Sequence, residues 1–184
     1  MKFERLAIPD VVLITPKMFR DERGFFSEVW TARSFSEAGL ELDFVQDNHA
    51  FSKPKGTMRG LHFQLPPKAQ DKLVRCTRGA ILDVAVDIRR SSPTFGKHVS
   101  AVLSEENWQQ LFVPKGFAHG YITLQSDTEV LYKVTEYYSP EHDRGVAWND
   151  PAIGIDWGEV AANAVLSPKD KTQPKLADTQ QLFD

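Results

Sequence analysis

The chain of 184 residues carries 22 Lys and Arg against 25 Asp and Glu, a formal net charge of −3. This length suits one domain with a substantial core. The charge balance excludes the basic footprint of a nucleic-acid binder, so an anionic ligand has to be met by a local cluster of cations. Cys76 stands alone, the start Met-Lys-Phe-Glu-Arg lacks the apolar run of a signal peptide, and no segment reaches membrane-spanning length. A single soluble, cytoplasmic domain over residues 1–184 is expected, with no nucleic-acid or membrane partner.

Taken in chain order, Arg23-Gly-Phe-Phe26-Ser-Glu28 combines a cation, two aromatics and an acid. That mix suits an interface or a nucleotide-like ligand, and equally an exposed strand. Ser34-Phe-Ser-Glu37 fits a capping box and predicts a helix that closes at Gly39. In Arg59-Gly-Leu-His62-Phe-Gln64, alternation puts His62 and Gln64 on one strand face and Leu61 and Phe63 on the other. Arg59 falls on the opposite parity from His62, so Gly60 is a candidate bulge that re-aims one of them. Lys72 opens a further strand. It reads either as a solvated edge residue or, in a pocket, as a stabiliser of a developing enolate oxygen.

Leu82, Val84, Val86 and Ile88 alternate with Asp83, Ala85 and Asp87, the pattern of a strand with one buried face. Similar alternation recurs over Val99–Leu103, Leu111–Val113, His119–Leu124 and Val130–Tyr138. Turn signals such as Ser91-Ser-Pro-Thr-Phe-Gly96 and Pro114-Lys-Gly116 separate these runs, which predicts an all-β sandwich or barrel. Tyr132 shares parity with Val130, Val134 and Tyr138, and serves as a core aromatic, a stacking surface or a phenolic acid. A second helix is predicted from Ser167, with Pro168 in its first position and Asp170 in its first turn. The polar tail after Pro174 has few apolar anchors and is expected to pack loosely.

Polar groups on strand interiors need partners or a ligand to offset desolvation. Arg59, His62, Gln64 and His119 are such groups, and together they point to a site. A metal centre of the His-x-His kind would need histidine where Gln64 stands, and His98 has no paired ligand at motif spacing, so no metal is expected. Without a metal, His62 suits a general base provided a carboxylate orients it and stabilises its charged form. Asp170 is a candidate for that role, although spacing alone favours an acid at a helix start.

The chain is similar, over nearly its whole length, to the dTDP-4-dehydrorhamnose 3,5-epimerases. The resemblance rests on Arg23-Gly-Phe-Phe-Ser-Glu28, Gln46-Asp-Asn48, Met58-Arg-Gly-Leu-His-Phe-Gln64, Lys72-Leu-Val, Asp83–Arg89 and Ser92–Gly96. It continues through Pro114–Gly120, Tyr132-Lys133, Tyr137–Pro140, Trp148–Pro151 and Leu166–Asp170. It implies a cupin-type jelly roll that forms a homodimer, with an N-terminal segment reaching the partner's site. It also implies cofactor-free epimerisation of a dTDP-linked 4-keto-6-deoxy sugar at C3 and C5, on the way to dTDP-L-rhamnose.

Carried over by motif, the catalytic set is His62 as base with Asp170 as its dyad partner, Lys72 at the enolate oxygen and Tyr132 as proton donor. The substrate-binding set is Arg23, Phe26, Glu28, Gln46, Asn48, Arg59, Lys72, His119, Asp143 and Lys169, with Tyr138 stacking on thymine. Three positions depart from the family pattern. Asp143 stands where Glu is frequent, Asp71 adds a negative charge beside Lys72 where Gly is common, and Gly158 replaces a frequent Pro. Other readings compatible with the sequence are a single-centre 3- or 5-epimerase, a metal-dependent cupin oxygenase or isomerase, and a non-catalytic sugar-binding jelly roll.

Overall fold

Short apolar and β-branched runs, cut by Gly, Pro and Asp turns, give thirteen strands in the computed structural model, which describes residues 1–184. One antiparallel sheet has the order β1 (Lys2–Arg5), β2 (Val12–Thr15), β10 (Gln110–Val113), β7 (Lys72–Arg78), β12 (Thr128–Val134), β5 (Gln46–Ser52). The facing sheet has the order β13 (Asp143–Gly145), β6 (Met58–Gln64), β11 (Phe117–Thr123), β8 (Ala80–Asp87), β9 (His98–Ser104). A separate hairpin is formed by β3 (Met18–Asp21) and β4 (Gly24–Ser27). The two sheets pack as the expected jelly roll.

Three apolar clusters hold this arrangement. Val74, Leu111 and Val130 of the larger sheet meet Ile81, Leu103 and Phe117 of the smaller one between the sheets. A second cluster lies on the other face of the smaller sheet. There Leu61, Val84, Val86 and Ile122 are covered by Val146, Ile153, Trp157 and Leu176 of the C-terminal segment. The third cluster tucks Phe35 against Val12, Ile14, Leu73 and Phe112.

This layering corrects the expectation of a one-faced strand at residues 82–88. In β8, Asp83, Ala85 and Asp87 are as buried as Val84 and Val86: Ala85 belongs to the cluster between the sheets, while the C-terminal segment covers the opposite face that carries Val84 and Val86. The tail after Pro174 is likewise docked. Arg90 donates from its backbone N to the Phe183 carbonyl at 2.9 Å and from its guanidinium to the Thr179 carbonyl at 3.2 Å, while Leu176 is buried.

The helix α1 spans Ala32–Glu37, and its cap is Thr31, whose Oγ1 accepts from the Ser34 N–H at 3.2 Å; the Ser34–Glu37 capping box does not form. Gly39, at φ +78°, closes it as expected. No helix starts at Ser167. Residues 168–172 make turns, and Pro174 follows immediately, its carbonyl taken by the Ala147 N–H at 2.7 Å. A short 3-10 helix at Glu159–Asn163 starts after Gly158, whose φ of +73° no proline could adopt. The strand expected to run to Tyr138 ends at Val134.

The bulge at Gly60 is present. His62 lies opposite His119 and Arg59 opposite Tyr121, so two residues of β6 face one of β11. Gly60 has φ +140°, and a Cβ there would sit 2.4 Å from the Gly120 Cα. At Gly120 a Cβ would lie 2.8 Å from the Arg59 carbonyl oxygen and 2.9 Å from the Gly60 Cα, so the strands approach at a glycine–glycine contact. Gly120→Ala is therefore expected to destabilise the fold by about 1–3 kcal/mol through overpacking. Scanning calorimetry checks this, and an unchanged melting temperature would show that the two strands separate freely.

Candidate active site

Between the sheets lies a cavity of about 480 Å³, walled by Arg59 and His62 of β6, His119 and Tyr121 of β11, Lys72 of β7 and Tyr132 of β12. Ser167 and Asp170 complete it from the C-terminal segment. A neighbouring cleft of about 430 Å³ shares His62, Lys72 and Tyr132, and extends to Gln46, Asn48, Tyr138, Asp143 and Lys169. The bulge at Gly60 thus does what parity required, since Arg59 and His62 face the same space.

His62 Nε2 is 2.5 Å from Asp170 Oδ1. Ser167 Oγ donates to the other oxygen, Oδ2, at 2.8 Å and accepts from the Asp170 N–H at 3.1 Å, so the carboxylate is held at both ends. Burial alone would raise the Asp170 pKa, but the hydrogen bond and charge of His62, the Ser167 hydroxyl and the Lys169 ammonium outweigh it, and the net shift is downward. Asp170 therefore stays ionised through the ordinary carboxylate range. The stability its contacts contribute is lost only as pH falls through that depressed value.

Lys72 Nζ points at the His62 carbonyl oxygen, 3.4 Å away. Desolvation lowers this lysine to about 8, with Asp143 and Asp83 pulling it back up and Lys169 pushing it down. Asp71 does not act as the charge beside Lys72 that its position suggested. Its carboxylate accepts from the Lys115 N–H at 3.0 Å and the Thr135 hydroxyl at 3.1 Å, which turns it to the turn before β11. Burial raises the Tyr132 phenol, against a smaller opposing effect of Arg59, so Tyr132 remains a proton donor at neutral pH.

His119 makes a second histidine–carboxylate pair, Nε2 to Asp83 Oδ1 at 2.7 Å, across neighbouring strands. Arg59 reaches Ser52 Oγ and the Phe51 carbonyl, both at 3.3 Å. Gln64 is a brace. Its amide N–H groups go to the Lys68 and Tyr137 carbonyls at 2.6 and 3.1 Å, and its oxygen accepts from the Ser139 N–H at 2.8 Å. It thereby holds the segment that carries Tyr138. Asp143 accepts from the Tyr138 hydroxyl at 3.0 Å and pairs with Lys169. Gln46 donates to Asn48 Oδ1 at 2.8 Å.

Arg23, Phe26 and Glu28 are not brought to this cavity. They belong to the β3–β4 hairpin region, where Phe26 is 70% exposed and Arg23 pairs with Asp21. The hairpin is anchored by the Trp108 indole N–H donating to Ser27 Oγ at 2.9 Å, with Phe25 edge-on to Trp108. Asp83, Ser167 and Tyr121 enter the site without having been singled out from sequence for a role in it. Asp83 and Ser167 act through a cross-strand and a turn contact that strand parity does not encode, and Tyr121 lines the cavity wall.

A family model described as dTDP-4-dehydrorhamnose 3,5-epimerase matches residues 5–178. The chain is 57% identical over 183 residues to a dTDP-4-dehydrorhamnose 3,5-epimerase of Sinorhizobium fredii, covering 100% of this chain and 93% of that one. It is 51% identical to the enzyme so described from Pseudomonas aeruginosa, covering 97% of each. The crystal structure of a dTDP-6-deoxy-D-glucose-3,5-epimerase from Legionella pneumophila, in complex with dTDP-4-keto-L-rhamnose, aligns with a TM-score of 0.92 at 43% identity. That alignment covers 97% of this chain and 94% of that one.

The Lys72 environment is directly measurable. Nuclear magnetic resonance titration of its side chain should give a midpoint near 8, and Asp143→Asn should lower it further by removing the main charge that supports the ammonium. A midpoint above 10 would mean that water, not the cavity wall, surrounds this amine.

Proposed function

The chain belongs to the dTDP-4-dehydrorhamnose 3,5-epimerase family, and on that premise we propose that His62, Asp170, Lys72 and Tyr132 perform the proton transfers. The activity is that of an isomerase, inverting C3 and C5 of a dTDP-linked 4-keto-6-deoxy sugar in dTDP-L-rhamnose formation. Both carbons are α to the 4-keto group, which acidifies their hydrogens, so the chemistry calls for no cofactor.

The observation that carries the assignment is the placement of groups on opposite walls. His62 projects from β6 of the smaller sheet, whereas Lys72 and Tyr132 project from β7 and β12 of the larger one. With Nε2 engaged by Asp170, Nδ1 of His62 is left to take a proton from carbon. Asp170 stabilises the imidazolium that forms. The Lys72 ammonium meets the charge that develops on the enolate oxygen. Tyr132 delivers a proton from the opposite side, and inversion requires that second face, because a base returning its own proton restores the starting sugar.

Binding roles extend along the shared cleft. Arg59, with its planar fork, and His119 and Lys169 suit the pyrophosphate and sugar, Gln46 and Asn48 line the way, and Tyr138 offers its ring to thymine. Arg23, Phe26 and Glu28 are assigned to the cleft of a second copy in a homodimer. Their exposure on a hairpin that pairs with no other strand supports this, as does the open edge of β5. No helix is long and apolar enough to cross a membrane, and a cytoplasmic enzyme of one domain is the setting proposed for this reaction.

Turnover of dTDP-4-keto-6-deoxyglucose in deuterated water tests the scheme. Deuterium should enter at both C3 and C5, and label at one carbon only would establish a single-centre epimerase. His62→Asn should lower exchange at both carbons by about 10²–10⁴-fold, the usual contribution of a general base. Tyr132→Phe should spare proton removal more than inversion. Equal loss of exchange in the two variants would overturn this division of labour.

A further inference from the structure

One group in the cavity wall is used by no assigned step. Tyr121 is only 4% exposed, it lines the cavity beside Arg59 and His119, and its hydroxyl has no hydrogen-bond partner. Its ring packs into the apolar cluster between the sheets and lies tilted against the His119 ring. Burial pushes its phenol far above the ordinary tyrosine value, with Arg59 acting weakly in the other direction, so the hydroxyl keeps its proton. A phenylalanine would fill the same space without the cost of an unpaired buried hydroxyl. The residue directly opposite on β8 is Asp83, which gives Oδ1 to His119 and leaves Oδ2 without a partner.

We propose that the Tyr121 hydroxyl is a further substrate contact, one that binds a non-reacting hydroxyl of the sugar. The inference rests on the reading of this cavity as the sugar pocket. A phenol both donates and accepts, and a sugar hydroxyl matches it in either sense. A phosphate oxygen only accepts, and the Asp83 carboxylate across from Tyr121 repels it. Tyr121 also has no part in the neighbouring cleft, where Tyr138 and Lys169 stand ready for the nucleotide. The hydroxyl thus acts as a gauge of the sugar, without a partner among the protein's own groups and satisfied on binding.

Tyr121→Phe in the full chain tests this, because a ligand contact and a structural role move two readouts in opposite directions. Calorimetric titration would use dTDP-6-deoxyglucose, which keeps the sugar hydroxyls but lacks the keto group needed for turnover, and dTDP alone. The variant is expected to bind dTDP-6-deoxyglucose about tenfold more weakly while holding dTDP within about twofold. Its free melting temperature should be unchanged or higher, since an unpaired buried hydroxyl has been removed. Unchanged sugar-nucleotide affinity, equal weakening of both ligands, or a melting temperature lowered by several degrees would each overturn the proposal. Solvent exchange at C3 and C5 by the unaltered protein tests the underlying reading separately, and its absence would remove that reading whatever the variant does.

Discussion

Asp170 meets His62 across 108 positions of sequence, and the site depends on that contact. A histidine on a strand between two sheets has neither a fixed tautomer nor a way to carry a charge until a carboxylate reaches it. The carboxylate in turn needs its own support, because a buried anion with one free oxygen is costly. Ser167 supplies that support by holding the second oxygen. The turn at residues 167–172 is kept in place by the apolar docking of Val146, Ile153, Trp157 and Leu176 on the outer face of the smaller sheet. Packing on one side of a sheet thereby sets the electrostatics on the other.

The same logic governs the cations. Lys72 is brought to about 8 by desolvation, a value at which it is still largely charged at neutral pH. Asp143 and Asp83 act on it from different strands, and each is itself held in place, Asp143 by Tyr138 and Lys169 and Asp83 by His119. The cavity wall therefore sets Arg59 and Lys72 beside two histidines, with Asp170 as its carboxylate. In the proposed scheme, a charge that develops on a bound ketone oxygen would meet an ammonium already in place, with little water to reorganise.

Much of the fold was legible because strand alternation and turn chemistry are local. The bulge at Gly60 could be anticipated from parity alone, since Arg59 and His62 cannot both face inward on a regular strand. The two-sided burial of β8 was not legible. Its Asp83 and Asp87 look like solvent-facing positions, yet Asp83 hydrogen-bonds with His119, and Asp87 is enclosed by Arg89, Ser92 and Thr94. Reading them correctly requires knowing that their face looks across to the larger sheet while the C-terminal segment covers the other. The Ser167 turn was misread as a helix for a related reason: Pro168 and the serine cap fit a helix start, and tertiary contacts to the Pro174 carbonyl decide otherwise. Pairing Asp170 with His62 rested on resemblance, because no spacing rule connects them.

A site whose working groups sit on strands of two facing sheets is rigid, and this constrains how one set of residues serves two carbons. His62, Lys72 and Tyr132 are tied to β6, β7 and β12, so none of them can travel between C3 and C5. With the roles assigned above, the sugar is what moves. C3 and C5 flank the carbonyl carbon symmetrically, so a sugar whose ketone oxygen stays on Lys72 exchanges one for the other by turning about the C–O axis. Such a turn needs room, and it needs wall contacts that release and re-form without repositioning the strands. A cavity of about 480 Å³ is larger than one hexose ring requires, which fits a pocket built for a substrate that presents two faces in succession.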